Sequence, residues 1–399
     1  MRVLLITTGS YPYGGAVTNR HLSYLKGMAE LGTDIKLIVL QPDNKQSELS
    51  IHSEGEFNGI KYKYATWYLQ PPRSIVSKVS NKIKSHLEAC RIIKNDIQHI
   101  NRDEIKLIVS VPSVIDILPY LFIRWKYKIP VFHERAEYPF LGVNGMVQKL
   151  LLSFYLHYII PGFDGIFVIS KTLVSYFGKY VNESDKILHL PMTVEHERFD
   201  TGKKESNKYG KYIAYCGSMY TDKDGVPDLI EAFNLFCQHN SDTNLLLIGD
   251  NRDKIKFKQI ENCINSSPFS KRIYCTGWVD RDQMPGYLDN AAVLALARPD
   301  NIQAKGGFPT KLGEYLSTRN PVVITDVGEH TEYLSDGVSA YISKPGNTAE
   351  FAEKLRLAVS NPDQARKIGE EGKKVALEQF NYKLQARKLY RFLNTIHYA

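Results

Sequence analysis

The chain has 399 residues, of which 43% are hydrophobic and 24% charged, and its formal net charge is +8. This composition is typical of a soluble globular protein, and the length predicts two α/β domains because single cores stop growing at about 250–300 residues. No window reaches the roughly 18–20 apolar residues of a membrane span, and the first residues predict a strand rather than a signal peptide. The five scattered cysteines contain no Cys-x-x-Cys pair, which predicts reduced core residues of a cytoplasmic protein and neither a zinc site nor a disulfide.

The first part of the chain has the order strand, glycine loop, helix, strand. Residues 2–8 predict a buried strand, Gly14-Gly15 a loop, and residues 18–31 a helix that precedes a second strand at 34–40. This βαβ order predicts a parallel sheet. The loop lacks the Gly-x-Gly-x-x-Gly spacing of a dinucleotide site, so we expect it to let a ligand approach the carboxyl ends of the strands.

Residues 61–106 are strongly basic, with ten Lys and Arg against four acidic residues and Trp67 among several tyrosines. Residues 76–94 predict a helix with an apolar stripe formed by Val76, Val79, Ile83, Leu87 and Cys90. The stripe either packs on the core below a solvated basic face or belongs to a surface that meets anionic lipid headgroups. No nucleic-acid-binding module accompanies this patch, so we expect no nucleic acid partner.

Two further segments of the first part stand out. His133, Glu134, Arg135 and Glu137 form a charged cluster at the carboxyl end of a predicted strand, where α/β sheets bind ligands; a solvated loop with internal ion pairs is the alternative. Residues 146–160 predict a very apolar helix, which we expect in the core, with a membrane-facing edge as the alternative.

The second part begins after a polar, apolar-poor segment at 200–210, which predicts an interdomain linker. A second α/β series follows, with predicted strands at 212–216, 244–248, 272–275, 292–296 and 322–325. We therefore place a first domain at 1–199 and a second at 211–380.

The stretch Lys305–Leu316 is a glycine-rich loop that enters a helix predicted from about Thr310 to Thr318. Free backbone N–H groups and the helix dipole make such an N-terminus a site for a phosphate or diphosphate. Lys311 adds a full charge, and Glu314 can accept hydrogen bonds from sugar or ribose hydroxyls. The alternative is an ordinary strand–loop–helix turn.

Together these segments resemble a retaining glycosyltransferase of the GT-B fold, in family 4 (GT4), of the bacterial surface or capsular polysaccharide type. The resemblance covers nearly the whole chain and is most specific in the second part. Its segments are Gly14–Ala16, Ile169-Ser170, Pro191–Phe199, Tyr215–Phe233, Leu247–Gly249, Cys275–Val279 and the stretch ending in Glu314. It implies an α/β fold of two Rossmann-like, doubly wound domains facing a central cleft. The first domain would bind the acceptor and the second the nucleotide-sugar, and a last helix at 381–399 would cross back to the first.

The resemblance also implies roles for single residues. His133 and Lys223 would be the catalytic residues, near the transferred sugar and on the donor diphosphate. Glu314 would bind the ribose, and Trp278 and Val279 would flank the base. The other donor-binding residues that it implies are Gly15, Gly217, Ser218, Phe308, Pro309, Thr310, Lys311 and Leu312. Glu134 and Glu137 would orient the acceptor.

The predicted activity is metal-independent transfer of a sugar from a UDP- or GDP-linked donor to a lipid-linked or polysaccharide acceptor, in cell-surface polysaccharide synthesis. We expect the protein in the cytoplasm or peripherally on the inner face of the cell membrane, with an anionic membrane surface as partner and no cofactor besides the donor substrate. The pairs Asp222-x-Asp224 and Asp280-x-Asp282 look like metal signatures, but we expect them to be turn residues.

Two positions depart from the family pattern. Gly306 stands where the family has a sugar-binding glutamate, and Ser218 stands where it has a diphosphate-binding arginine. These changes keep a second hypothesis open, a catalytically silent sugar-nucleotide-binding scaffold of a polysaccharide assembly complex.

Overall fold

The computed structural model describes residues 1–41, 53–66, 74–181, 183–200, 208–219, 223–249 and 254–398. Trp67, Asp222 and most of the predicted linker at 200–210 lie outside these ranges. The chain forms two compact units, one made of Met1–Thr193 with Tyr382–Ala399 and the other of Val194–Asn381. The division thus falls after Thr193 and after Asn381, where the sequence placed it at 199 and 380.

The first unit is built on an eight-stranded sheet of order β3-β4-β2-β1-β5-β6-β7-β8, parallel except for the β3–β4 pair. The strands are β1 (Arg2–Thr7), β2 (Asp34–Val39), β3 (Glu54–Phe57), β4 (Ile60–Tyr64), β5 (Ile105–Ser110), β6 (Val131–Arg135), β7 (Gly165–Val168) and β8 (Ile187–His189). The helices before residue 193 are α1 (Ala16–Glu30), α2 (Ile75–His99), α3 (Val114–Tyr127), α4 (Met146–Phe154) and α5 (Lys171–Phe177). The central strands are buried apolar runs, as a sheet covered on both faces requires.

The second unit is built on a six-stranded parallel sheet of order β11-β10-β9-β12-β13-β14. Its strands are β9 (Lys211–Cys216), β10 (Thr243–Ile248), β11 (Ile273–Gly277), β12 (Val293–Leu296), β13 (Val322–Thr325) and β14 (Tyr341–Ser343). Its helices are α6 (Val226–Cys237), α7 (Lys254–Ser266), α8 (Met284–Asp289), α9 (Ile302–Gly306), α10 (Thr310–Ser317), α11 (His330–Tyr333), α12 (Thr348–Ser360) and α13 (Pro362–Gln379). Short 3₁₀ turns occur at Arg102–Glu104, Ile160–Gly162, Ser184–Lys186, His196–Phe199 and Ser270–Arg272.

A last helix, α14 (Tyr382–Thr395), returns to the first unit and packs along α1. Its Ala386, Leu389 and Leu393 are fully buried in the same core as the β1 and β2 side chains. The two helices approach closely at Gly27, where a Cβ atom would lie 2.6 Å from the Cβ of Ala386. The return of the last helix was implied only by the family resemblance.

This close approach predicts that Gly27→Val destabilises the first unit. The added methyl groups would push α14 away, and overpacking of this kind costs about 1–3 kcal/mol. Ala16→Val adds methyl groups at the exposed start of the same helix and is the matched control. Urea unfolding of both variants measures the difference, and equal midpoints would show that α14 can shift without loss.

The apolar helix predicted at 146–160 is not a core helix in its first half. None of the nine residues of α4 is buried; burial begins in the π-helical turn Tyr155–Ile159 that follows. The stripe of Val76, Val79, Ile83 and Leu87 on α2 is also exposed, so the core-packed interpretation of that stripe is wrong.

Candidate functional site

In the second unit, the loop after β9 faces the start of α10. Lys311, in the first turn of α10, reaches back to this loop. Its Nζ lies 2.5 Å from Asp224 Oδ2, donates to the Tyr215 hydroxyl at 3.1 Å and lies 4.5 Å from the Tyr215 ring centroid. The predicted diphosphate stretch therefore meets Tyr215 and Asp224 of the predicted Tyr215–Phe233 segment around one cation.

Gly217 leaves the room that the lysine occupies. A Cβ atom on Gly217 would lie 2.1 Å from Lys311 Nζ, and its φ of 148° belongs to the region that favours glycine. The loop backbone of Gly217 is thus open to the ammonium group, and an anionic group bound at the α10 N-terminus would meet both.

The electrostatics of this cluster are set by burial and by pairing. Burial alone would raise the pKa of Asp224, but attraction and hydrogen bonding from Lys311, with a contribution from Arg298, lower it below its usual value. Arg298 is fully buried; its Nε donates to Lys223 O at 3.3 Å and lies 3.7 Å from Asp224 Oδ1. Two cations therefore surround one carboxylate, which leaves an excess of positive charge beside the loop.

Glu314 lies one turn further along α10 and is held by an arginine. Arg198, in the 3₁₀ turn His196–Phe199, donates from Nη1 to Glu314 Oε1 at 3.2 Å and from Nη2 to Arg281 O at 2.5 Å. The Arg281 guanidinium pairs in turn with Glu195. The predicted ribose-binding carboxylate is thus one member of a cluster of two arginines and two glutamates.

The other predicted donor-binding residues divide by burial. Phe308, Leu312 and Val279 are buried, and Phe308 packs on His330, Tyr333 and Phe380. Those with exposed or partly exposed surface are Ser218, Lys223, Trp278, Thr310 and Lys311. Trp278 is 39% exposed and its Nε1 donates to Asp280 Oδ1 at 3.3 Å; Pro309 caps α10.

In the first unit, His133 is fully buried at the centre of β6. Its Nδ1 donates to Val109 O at 2.7 Å, its Nε2 lies 2.8 Å from the Tyr155 hydroxyl, and its ring stacks on Phe163. Burial, with a smaller contribution from Arg135, lowers the pKa of His133 to about 3, so the imidazole is neutral at physiological pH. Both ring nitrogens are engaged by protein groups.

Glu134 is also buried, and it belongs to an internal network rather than to an open surface. It accepts from Arg20 Nε at 3.0 Å, from the Tyr24 hydroxyl at 2.9 Å and lies 2.7 Å from His21 Nε2. Burial would raise the pKa of Glu134, but His21 and Arg20 outweigh it and lower the pKa to about 2. The carboxylate that the sequence assigned to the acceptor is therefore saturated by its neighbours.

Arg20 has a second set of partners. Its Nη1 donates to Pro191 O at 2.6 Å and its Nη2 to Leu190 O at 2.7 Å. One guanidinium therefore ties α1 to β6 and to the segment by which the chain leaves the first unit. Glu137 lies partly exposed beyond β6, and Gly15 lies exposed at the start of α1.

Sequence reasoning missed several of these residues. Arg298 lies two residues after the end of the buried strand β12, and a cation beyond the carboxyl end of a strand was the available signal. No sequence pattern marked Arg20, Arg198 or Arg281, because these arginines contact their partners only in the folded units. Asp224 was assigned to a turn, yet it is the counter-ion of Lys311.

Among the described residues, no group of three or more His, Cys, Asp or Glu side chains is arranged to hold a metal ion. In the same ranges, no helix has the length and apolar character needed to cross a bilayer.

Comparison with known proteins finds similarity to glycosyltransferases. Residues 196–375 match the family model of the glycosyl transferases group 1. The chain is 24% identical over 283 residues to the uncharacterized glycosyltransferase MJ1178 of Methanocaldococcus jannaschii, a match that covers 67% of this chain and 76% of that protein.

Solved structures extend the similarity to both units. Sucrose-phosphate synthase from Thermosynechococcus elongatus superposes with a TM-score of 0.76 at 12% identity, covering 99% of this chain and 98% of that one. Anabaena Alr3699/HepE, solved in complex with UDP, superposes with a TM-score of 0.71 at 12% identity, covering 99% and 100%.

The chain is therefore a glycosyltransferase enzyme with the GT-B fold, which confirms the predicted fold class and the predicted kind of enzyme. The family match covers residues 196–375, nearly the whole second unit.

Proposed function

We propose that this enzyme transfers a sugar from a nucleotide-sugar to a lipid-linked or polysaccharide acceptor in cell-surface polysaccharide synthesis, as a retaining, metal-independent member of family 4. The observation that carries the proposal is the meeting of Lys311, the open Gly217 loop and the α10 N-terminus around one point. A leaving nucleoside diphosphate develops negative charge on its bridging oxygen, and stabilising that charge is the main electrostatic task of such a site.

The donor side is built from the second unit. The diphosphate would lie at the N-terminus of α10, with Lys311 and Lys223 as cations and Ser218 and the loop backbone as donors. Arg298 would supply, through its charge beside Asp224, part of the positive potential that an absent family arginine supplies elsewhere. Glu314 would accept from the ribose hydroxyls, with Arg198 orienting its carboxylate. The solved complex of HepE with UDP-glucose supports a uridine donor as the first to test.

The acceptor side is assigned to the first unit. His133 keeps its predicted role next to the transferred sugar only if the Tyr155 hydroxyl gives way, since His133 Nε2 now faces that hydroxyl. Because Glu134 is saturated, Glu137 is the better candidate of the two for orienting an acceptor. We assign no nucleophile, in line with a front-face substitution.

Nucleotide binding and slow donor hydrolysis test the proposal together. UDP at 100 times its dissociation constant should stabilise the protein by about 2.7 kcal/mol, seen as a rise in melting temperature of several degrees. Incubation with a panel of UDP- and GDP-sugars should release the free diphosphate, and EDTA should leave the rate unchanged. The anomeric configuration of the product, read by NMR, tests retention.

Lys223→Ala distinguishes the enzyme from a silent scaffold. The lysine ammonium would stabilise the leaving diphosphate, so its loss should lower the hydrolysis rate by roughly 10-fold or more. Lys271→Ala, at an exposed 3₁₀ turn of the same unit, is the matched control. A scaffold is favoured by the substitutions at Gly306 and Ser218; it would bind UDP while wild type and Lys223→Ala stay equally inactive on the whole panel.

A further inference from the structure

Three helices of the first unit cover the same face of its sheet. The crossovers β4 to β5, β5 to β6 and β6 to β7 all run in the same direction across the strand order. Because such connections are right-handed, α2, α3 and α4 lie on one face. The β1-to-β2 crossover runs the opposite way, so α1 lies on the other face, together with α14.

Each of these three helices exposes an apolar stripe at helical spacing. On α2 the exposed residues are Val76, Val79, Ile83 and Leu87. On α3 they are Ile115, Leu118, Phe122 and Trp125. On α4 and the turn after it they are Met146, Val147, Leu150, Leu151, Phe154 and Tyr158. These stripes form the exposed apolar face.

An apolar stripe that faces solvent is unusual, because the apolar stripe of a helix in a globular protein normally faces the core. On α2 the buried side chains are Ser85 and residues of the second half, such as Ala89, Ile93 and Ile97. Burial of Leu150 (65% exposed) or Trp125 (67% exposed) would remove a large apolar area from water. Exposed apolar surface of this extent marks an interaction site.

The exposed charges of the three helices have one sign. The exposed cations of these helices are Lys78, Lys84, Arg91, Lys94, Lys126 and Lys149. The described carboxylates of the three helices are withdrawn: Asp96 and Asp116 are buried and paired with cations, and Glu88 is partly buried beside Arg91. A second copy of the chain would bring cations against cations across a two-fold axis, whereas an anionic surface would neutralise them.

The exposed apolar face lies near the edge of the sheet at which ligands bind. Crossover helices start where the preceding strand ends, so the stripes near the starts of α2 and α4 lie towards the carboxyl ends of β4 and β6. Parallel sheets bind ligands at that edge. An acceptor presented by a lipid surface would therefore arrive on the side of the first unit where β6 carries His133.

We propose that the exposed apolar face docks on an anionic lipid bilayer, with its aromatic and aliphatic side chains in the interface and its lysines at the headgroups. This inference extends the proposed function, because it places the enzyme where a lipid-linked acceptor is held. Amphipathic helices with cations beside an apolar stripe bind bilayers in this way, and the attraction to anionic lipid adds to burial of apolar surface.

Vesicle flotation tests the inference with the whole chain and no donor. Wild type should float with vesicles of phosphatidylcholine and phosphatidylglycerol, and much less with phosphatidylcholine alone or in 1 M salt. Phe122→Ser/Trp125→Ser and Leu150→Ser/Phe154→Ser should each weaken binding at least 10-fold, and Lys78→Glu/Lys149→Glu should weaken binding to anionic vesicles. Ile255→Ser/Val338→Ser removes exposed apolar residues of the second unit and should float as wild type does.

Tryptophan emission gives a second readout. Binding should shift the emission to shorter wavelength in the wild type and much less in Trp125→Phe. Absence of wild-type flotation, or equal flotation of all variants, would overturn the inference. A concentration-dependent dimer that the same serine substitutions dissociate, without vesicle binding, would instead assign the face to a second copy.

The test is independent of the proposed activity. Lys223→Ala should float like the wild type, and the serine variants should still hydrolyse donor in the absence of vesicles. Flotation without donor hydrolysis would therefore count against the transferase proposal alone. Donor hydrolysis without flotation would count against the docking proposal alone.

Discussion

Replacement of Lys311 by methionine is expected to lower donor turnover by roughly 100-fold and the stability of the second unit by about 3 kcal/mol. The stability is lost because Asp224 would be left nearly buried without its closest cation. The turnover is lost because the same ammonium lies beside Gly217 at the N-terminus of α10. Urea unfolding and the release of UDP from UDP-sugar measure the two effects.

A double variant separates the loss of turnover from the loss of stability. Lys311→Met/Asp224→Asn removes both charges, so most of the stability should return. The turnover should stay low, since the cation at the diphosphate site is still missing. Recovery of both together would mean that Lys311 acts only through folding. With Trp67 and Trp125 replaced by phenylalanine, emission of Trp278 reports the second unit alone, because the chain has three tryptophans.

Replacement of Glu134 by leucine is expected to destabilise the first unit by about 3–5 kcal/mol, because it leaves Arg20 buried without a counter-charge. Glu183→Ala, which breaks an exposed pair with Lys186 in the same unit, should cost less than about 1 kcal/mol and is the control. Unfolding of a Trp278→Phe background, whose remaining tryptophans belong to the first unit, measures both. A loss for Glu134→Leu no larger than for Glu183→Ala would contradict the prediction.

The same carboxylate predicts a pH dependence. The pKa of Glu134 is lowered to about 2, whereas an unfolded glutamate titrates near about 4.3. Its contribution is therefore complete above about pH 4.3 and is lost as the pH falls towards 2. Glu134→Gln has no such group, so its stability should fall less steeply between these values than that of the wild type. Parallel curves would contradict the assignment.

Most of the architecture could be predicted from the sequence because its strands are short, buried apolar runs with glycines at their ends. The strands at 2–7, 34–39 and 211–216 stand where their patterns place them. The helix α3 was not predicted, since a proline, Pro119, lies inside it and its apolar residues are found on all sides. The edge pair β3–β4 was missed as well, because the charges of β3 obscure its alternation.

The candidate site was predicted in part for a different reason. Glycine loops and helix starts are local features, so Gly217 and the α10 N-terminus were found. Contacts between residues far apart in sequence have no local pattern, because the packing of the fold sets them. Lys311 with Asp224 and Arg198 with Glu314 are pairs of this kind. The prediction of α4 as a core helix was wrong for a related reason. An apolar stripe shows that a helix has an apolar side but does not identify the surface that will cover it.

The return of α14 to the first unit has a consequence for how the protein is made. Leu389 and Leu393 complete the core around β1 and α1, yet the ribosome adds them only after the whole second unit, roughly 190 residues later. At about 5–20 residues per second, synthesis of the second unit alone keeps the α14-binding groove of α1 uncovered for on the order of 10–40 s after residue 193 has been added. The second unit is continuous in sequence and can fold within that interval. We therefore expect the second unit to complete its folding before the first. A nascent chain stalled before residue 382 should bind chaperones at α1.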